Sequence, residues 1–169
     1  GLVGTKVKLG IASEGEDEPL EITITRAIIT VEAVKFRRVG NVGYIKLISF
    51  SEQAEKGIKK AIKNLKSEIG SEKLIGYILD LRNNPGGLLG QSIAVTDSFL
   101  NSGEIVSTKG RDKSDIGSFK ASNGDLTNNK PIIVLINRGS ASASEIVAGA
   151  LQDHKLSLIH ISEPTRPLR

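Results

Sequence analysis

The stretch that most constrains this chain is Pro131-Ile132-Ile133-Val134-Leu135-Ile136-Asn137, a run with no polar side chain between its ends. It is rich in β-branched residues, too short for a core helix, and bounded by a proline and by Asn137-Arg138-Gly139. Such a run reads as a strand that is apolar on both faces and covered on both sides, which places it inside a sheet flanked by helices. Ile75-Gly76-Tyr77-Ile78-Leu79-Asp80-Leu81 is a second buried strand of the same kind. Before it, Ser51 and Glu52 open a helix in which Ile58, Ala61, Ile62, Leu65 and Ile69 recur on one stripe of a 3.6-residue period, and Gly70-Ser71 ends it. After it, a second helical pattern runs from Leu88 to Leu100. Strands alternating with helices across residues 42–152 predict an α/β core.

The rest of the chain is read more coarsely. Lys6 to Leu9 and Leu20 to Thr25 alternate around the acidic turn Glu14-Gly15-Glu16-Asp17-Glu18-Pro19, a hairpin pattern that buries one face. Two strands alone are marginally stable, so this hairpin is expected to need partners. Ile28 to Phe36 has some strand character, Gly40-Asn41 is a turn, and Val42 to Phe50 is a strand. Ile105 to Thr108 is a short strand, and the polar stretch from Lys109 to Lys130 reads as a long surface loop with at most an irregular strand.

Composition closes off several classes of function. With 169 residues the chain can bury one core and part of a second domain. The net charge of +4 is modest and only two tyrosines and four phenylalanines accompany it, a poor basis for nucleic-acid binding. The lysines at 56, 59, 60, 63 and 66 fall opposite the apolar helix stripe and read as a solvated face. Cysteine is absent, so disulfides and thiolate metal sites are excluded. No apolar run approaches the length of a membrane span, and Gly1-Leu2-Val3-Gly4 is not a signal peptide.

Two loops share one construction: each follows a buried strand, is rich in small residues, and opens a helix. They are Asn83-Asn84-Pro85-Gly86-Gly87 and Asn137-Arg138-Gly139-Ser140-Ala141-Ser142-Ala143-Ser144-Glu145. In α/β sheets ligands bind beyond the carboxyl ends of the strands, where helix N-termini offer unpaired N–H groups. Two such loops side by side could hold an oxyanion. The glycine pair also fits a simple tight turn, and no Lys-Ser/Thr follows it as a phosphate-binding loop requires, so no nucleotide is expected. Ser142 likewise has two readings. With Glu145 at the third helical position it fits a capping box, the reading that local pattern favours. A serine at a helix start just past a buried strand is also an exposed nucleophile beside oxyanion donors. Asp153 lies about 16 Å along the helix axis from Ser142 at about 1.5 Å per residue, so it is no hydrogen-bonding partner and reads as a helix-end or structural residue.

At these residues the sequence resembles the carboxyl-terminal processing (tail-specific) serine proteases. Gly139 to Asp153 is similar to their nucleophile segment, and Asp80-Leu81-Arg82-Asn83-Asn84-Pro85-Gly86-Gly87-Leu88-Leu89 to their other signature. Residues 1–29 resemble the last β-strands of the PDZ domain that precedes the catalytic core. The resemblance implies an α/β catalytic core with a crotonase/ClpP-like mixed sheet and helices over residues 30–155. It implies Ser142 as nucleophile, with the backbone N–H groups of Gly87 and Ala143 as the oxyanion hole. It implies cleavage of proteins near their carboxyl termini by a Ser/Lys dyad without metal, nucleotide or other cofactor, on substrates with accessible apolar tails. The bacterial periplasm or cell envelope is the implied location, and nothing in the sequence indicates membrane attachment.

The departure from the family pattern lies at the far end. The family continues past this segment to a lysine general base, which falls about where Pro167 stands; Lys155 is the last lysine of the sequence. Residues 156–169 read as a non-native tail. Arg166 and Arg169 cannot act as bases, because a guanidinium does not release its proton, and His160 reads as incidental. The expectation is therefore a protease fragment without its base, inactive as it stands. The alternative is a non-catalytic peptide-binding module on the protease scaffold, against which the half PDZ domain counts.

Overall fold

The computed structural model describes residues 1–12, 15, 19–27, 32–109, 116–122 and 124–161, with backbone alone for Ile116 and 158–161. The chain divides into two compact units, Gly1–Val31 and Glu32–Arg169.

The first unit is a hairpin. β1 (Lys6–Ile11) pairs antiparallel with β2 (Leu20–Thr25). The register sets Val7 opposite Ile24, Leu9 opposite Ile22 and Ile11 opposite Leu20, so period-two alternation gathers the apolar side chains on one face. That face is not buried as the alternation predicts: Leu9 is 42% and Ile24 45% exposed. A two-stranded ribbon has no second layer to cover either side. The turn residues 14 and 16–18, and residues 28–31, lie outside the described part.

The second unit is built on a five-stranded sheet in the order β3-β4-β5-β8-β9. β3 (Val34–Val39) and β4 (Val42–Leu47) form an antiparallel hairpin around Gly40-Asn41. β4 pairs in parallel with β5 (Gly76–Asp80), β5 with β8 (Ile132–Ile136), and β8 with β9 (Ser157–Ile161). The sheet is therefore mixed, with the expected α/β alternation. β9 forms within the stretch set apart from the family pattern in the sequence.

α1 (Ala54–Ile69) connects β4 to β5, and the predicted stripe of Ile58, Ala61, Ile62, Leu65 and Ile69 is buried. Lys56, Lys59, Lys60 and Lys63 are exposed as predicted, while Lys66 is half-buried and reaches Asn128 Oδ1 at 3.1 Å. α2 (Leu89–Asp97) follows β5, and its Gln91 side chain accepts the Glu55 N–H at 3.0 Å, satisfying a donor at the start of α1. β6 (Glu104–Lys109) and β7 (Ile116–Lys120) make a second hairpin in the region read as mostly loop. α3 (Ala143–Asp153) joins β8 to β9.

The core joins one face of the sheet to the helices: Ile45, Leu47, Tyr77, Leu79, Ile132 and Val134 pack with Ile58, Leu65, Val147 and Leu151. The opposite face corrects the reading of 131–137 as covered on both sides. Ile133 is 41% exposed, and the neighbouring positions on that face are Lys35, Arg37, Tyr44 and Lys46. An apolar run records what a strand can tolerate on each face; whether a layer lies there depends on the rest of the fold.

Candidate active site

β5 ends on Asp80, a carboxylate in an otherwise apolar strand, and it is fully buried. It accepts the Arg82 backbone N–H at 2.9 Å, Arg82 Nε at 2.9 Å and Nη2 at 2.7 Å, and the Tyr44 hydroxyl at 2.5 Å, with Lys46 Nζ at 3.5 Å. Burial pushes this carboxyl up, but the Arg82 and Tyr44 hydrogen bonds and the Lys46 charge overcome it and hold Asp80 well below the usual carboxylate range. Burial and the Asp80 contact raise the Tyr44 hydroxyl in turn. The sequence reading assigned Asp80 no task of its own. The available signal was a charge inside an apolar strand, which must be paired to be buried.

From this anchor the chain turns through Asn83-Asn84-Pro85-Gly86-Gly87. Asn84 is fully buried with a partner on each polar atom of its side chain: Nδ2 donates to the Leu47 carbonyl at 2.9 Å and Oδ1 accepts the Gly86 N–H at 3.0 Å. Its own carbonyl accepts the Ala141 N–H at 3.2 Å and the Ser144 hydroxyl at 2.8 Å. One side chain and one carbonyl thus fasten the end of β4, the glycine turn and the start of α3. The turn itself needs glycine. Gly86 and Gly87 have φ of 107° and 146°, and a Cβ on Gly87 would stand 2.6 Å from the Phe50 carbonyl oxygen. Phe50 holds the turn from both sides, donating its N–H to Gly86 O at 3.1 Å and accepting the Leu88 N–H at 2.8 Å.

The second loop meets the first directly. A Cβ on Gly86 would lie 2.9 Å from Ser142 Cβ and 3.1 Å from the Ala143 nitrogen. Ser142 is the N-cap of α3, exposed, with φ 55° and ψ −113°. Few non-glycine residues adopt that backbone, and it is held because both sides of the residue are fixed. Glu145 Oε2 accepts the Ser142 N–H at 2.7 Å, which is the reach-back half of the expected capping box. The serine half is in place as well, the Ser142 side chain standing toward the Glu145 N–H, whose own hydrogen bond goes to the Ser142 carbonyl at 2.9 Å. The capping box expected from the sequence is therefore present, and the serine remains exposed beside the glycine loop.

Among the described residues, neither the Gly87 N–H nor the Ala143 N–H has an acceptor. Ala143 is the first residue of α3, so its open N–H carries the positive end of the helix dipole. Ser142, Gly86-Gly87 and Ala143 are thus brought together. Asp153 is at the exposed far end of α3, away from the serine. No described lysine or histidine is hydrogen-bonded to Ser142. Lys155 is exposed just past α3, Lys46 lies on the open face of the sheet, and His154 Nε2 contacts the Glu104 carbonyl at 2.8 Å. The His160 side chain, Arg166 and Arg169 lie outside the described residues. Among the described residues, no group of three or more His, Cys, Asp or Glu side chains could hold a metal ion.

The profile of Peptidase family S41 matches residues 41–165. A carboxy-terminal-processing protease of Bartonella bacilliformis is 58% identical over 159 residues, covering 94% of this chain and 37% of that protein. A carboxyl-terminal-processing protease of Synechocystis is 44% identical over 160 residues, covering 92% of this chain and 36% of that protein. The chain therefore spans little more than a third of the length of these relatives. Among solved structures, the photosystem II D1 C-terminal processing protease aligns with a TM-score of 0.67 at 27% identity, over 94% of this chain and 44% of that one. An S41 protease from Bacteroides fragilis shares the fold, with a TM-score of 0.61 at 17% identity over 92% of this chain and 45% of that one. With the strand–loop–helix pair at 76–97 and 132–153 lying inside the matched segment, the chain belongs to peptidase family S41.

Proposed function

We propose that this chain carries the nucleophile and oxyanion hole of a serine endopeptidase that cleaves proteins near their carboxyl termini. The observation that carries the reading is a pair of N–H groups, Gly87 and Ala143, without an acceptor among the described residues, on two loops that meet at Ser142. In the reaction, Ser142 Oγ attacks the substrate carbonyl carbon and a neutral lysine takes its proton. The carbonyl oxygen, now negative, accepts from Gly87 and Ala143, an interaction of about 3 kcal/mol per donor in such sites. Collapse expels the amine, which takes the proton from the lysine, and water then releases the acyl group from Ser142.

The base is the part that the described residues do not supply. No described lysine is hydrogen-bonded to Ser142, which supports reading the chain as given as inactive. Leu88 and Leu89, 51% and 43% exposed directly after Gly87, support substrates with apolar residues in their tails. Residues 1–29 read as the closing strands of a PDZ domain, supported by a hairpin whose apolar face stands exposed. The periplasm or cell envelope of a bacterium is the proposed location. No described helix is long and apolar enough to cross a membrane.

Joining a family-like continuation after Lys155 should create cleavage of an unstructured peptide with an apolar carboxyl end, and Ser142→Ala should abolish it. Equal cleavage by the Ser142→Ala protein would overturn the assignment.

A further inference from the structure

The two loops of the site come from different strands, so something must fix the distance between the Gly87 and Ala143 donors. Asn84 does part of this from inside. On the outer side, Asn83 and Asn137 clasp each other, 54 positions apart in the chain. The Asn83 backbone N–H donates to Asn137 Oδ1 at 2.9 Å, and Asn137 Nδ2 donates to Asn83 Oδ1 at 2.9 Å. Asn137 Oδ1 also takes the Gly139 N–H at 3.1 Å. The geometry is specific to these residues. Asn83 has φ of 60°, a left-handed conformation that asparagine tolerates better than most residues. A Cβ on Gly139 would stand 2.8 Å from Asn83 Oδ1, so glycine lets the nucleophile loop come close enough for the clasp. Ser140 adds a parallel tie, its hydroxyl donating to the Leu81 carbonyl at 2.8 Å and accepting the Asn137 N–H at 3.0 Å.

From this arrangement we infer that Asn83 and Asn137 are positioning residues for the reaction at Ser142. The amide clasp sets the register of the glycine loop against the nucleophile loop, and so the spacing of the two oxyanion donors. The inference rests on the reading of Ser142 as nucleophile. The side-chain hydrogen bonds of both asparagines stay within the two loops, so each acts through the loop it belongs to. Both are near the surface, so their loss acts on the loops rather than on the core. Misplacement of a reacting group by about 1 Å can cost about a hundredfold in rate, which is the leverage such a clasp would have.

The test uses the chain joined to a family-like continuation after Lys155, which supplies the base, and an alkyl fluorophosphonate probe. Ser142 Oγ bonds to phosphorus, fluoride leaves, and the hydroxyl proton goes to that base. Rates at several probe concentrations at mildly alkaline pH separate reversible probe affinity from the first-order labelling rate, and peptide mass mapping locates the label. Asn137→Ala removes the amide from both partners. Asn83→Gly keeps the left-handed backbone and the donated N–H while removing only the acceptor. The expected result is a labelling rate lower by about tenfold in Asn137→Ala and by less in Asn83→Gly, with probe affinity unchanged. In the double variant, Asn83→Gly costs less than it does alone, because the clasp is one unit. Labelling rates within twofold of the unsubstituted chain in both single variants, with the label still on Ser142, overturn the inference alone. So does a loss confined to probe affinity. A label that persists in Ser142→Ala, or that never forms on Ser142 in the unsubstituted chain, overturns the nucleophile reading and the inference with it.

Discussion

Ser142 carries a backbone conformation that its side chain does not favour, at φ 55° and ψ −113°. Such residues cost on the order of 1–3 kcal/mol and persist where surrounding bonds over-determine them. Here the fixing bonds are Glu145 on its N–H, Asn84 on the neighbouring Ala141, and the close packing of Gly86. Glycine has no Cβ to strain, so Ser142→Gly should raise stability by about 1 kcal/mol while abolishing reaction with serine-directed probes. Chemical denaturation beside a labelling assay checks both halves; a destabilised variant would mean that the backbone is not strained. At this scale the sequence was informative about residue types and blind to conformation. The Gly86-Gly87 pair announces a turn only glycine can make, and both φ angles agree. The serine-glutamate spacing signals the capping box that forms, but it could not show the positive φ of Ser142, which depends on the facing glycine loop.

The elements themselves were largely legible where a period was strong. The α1 stripe, the β3–β4 turn and strands β5 and β8 follow directly from side-chain spacing. β7 was harder to read, because Ile116-Gly117-Ser118-Phe119-Lys120 is short, polar and weakly periodic and gains its structure by pairing with β6. The outer face of β8 was misread, since an apolar side chain does not record whether a layer covers it. Asp80 shows what sequence spacing hides in the other direction. A fully buried carboxylate at the end of β5 is held charged by Arg82, Tyr44 and Lys46, directly before the glycine loop. Its folded-state pKa is depressed, so its contribution to stability is present above the ordinary carboxylate pKa of about 4 and is lost as pH falls below that value. Asp80→Asn should therefore lower stability at pH 7 by about 3 kcal/mol and flatten the acid loss below about pH 4. Thermal melts of both proteins from pH 2.5 to 7 check this; parallel curves would show that Asp80 is not the titrating group.

For the molecule as a whole, membership of peptidase family S41 accounts for the sheet order, the placement of the two loops and the meeting of Ser142 with Gly86-Gly87. The chain spans little more than a third of its relatives, and its sheet shows an open face at Ile133 and Tyr44. The central claim is that Ser142 reacts while Gly87 and Ala143 hold the developing oxyanion. The most direct measurement follows the amide resonances of the isotope-labelled chain as a peptidyl boronic acid with an apolar side chain is added. The boron takes the Ser142 oxygen as its fourth ligand, the hydroxyl proton goes to solvent, and the anionic boronate places one of its hydroxyl oxygens at the junction of the two loops. The account predicts large downfield shifts of the Gly87 and Ala143 N–H signals together, absent in Ser142→Ala. Binding of the boronic acid that leaves both signals in place, or that shifts them equally in Ser142→Ala, would contradict it.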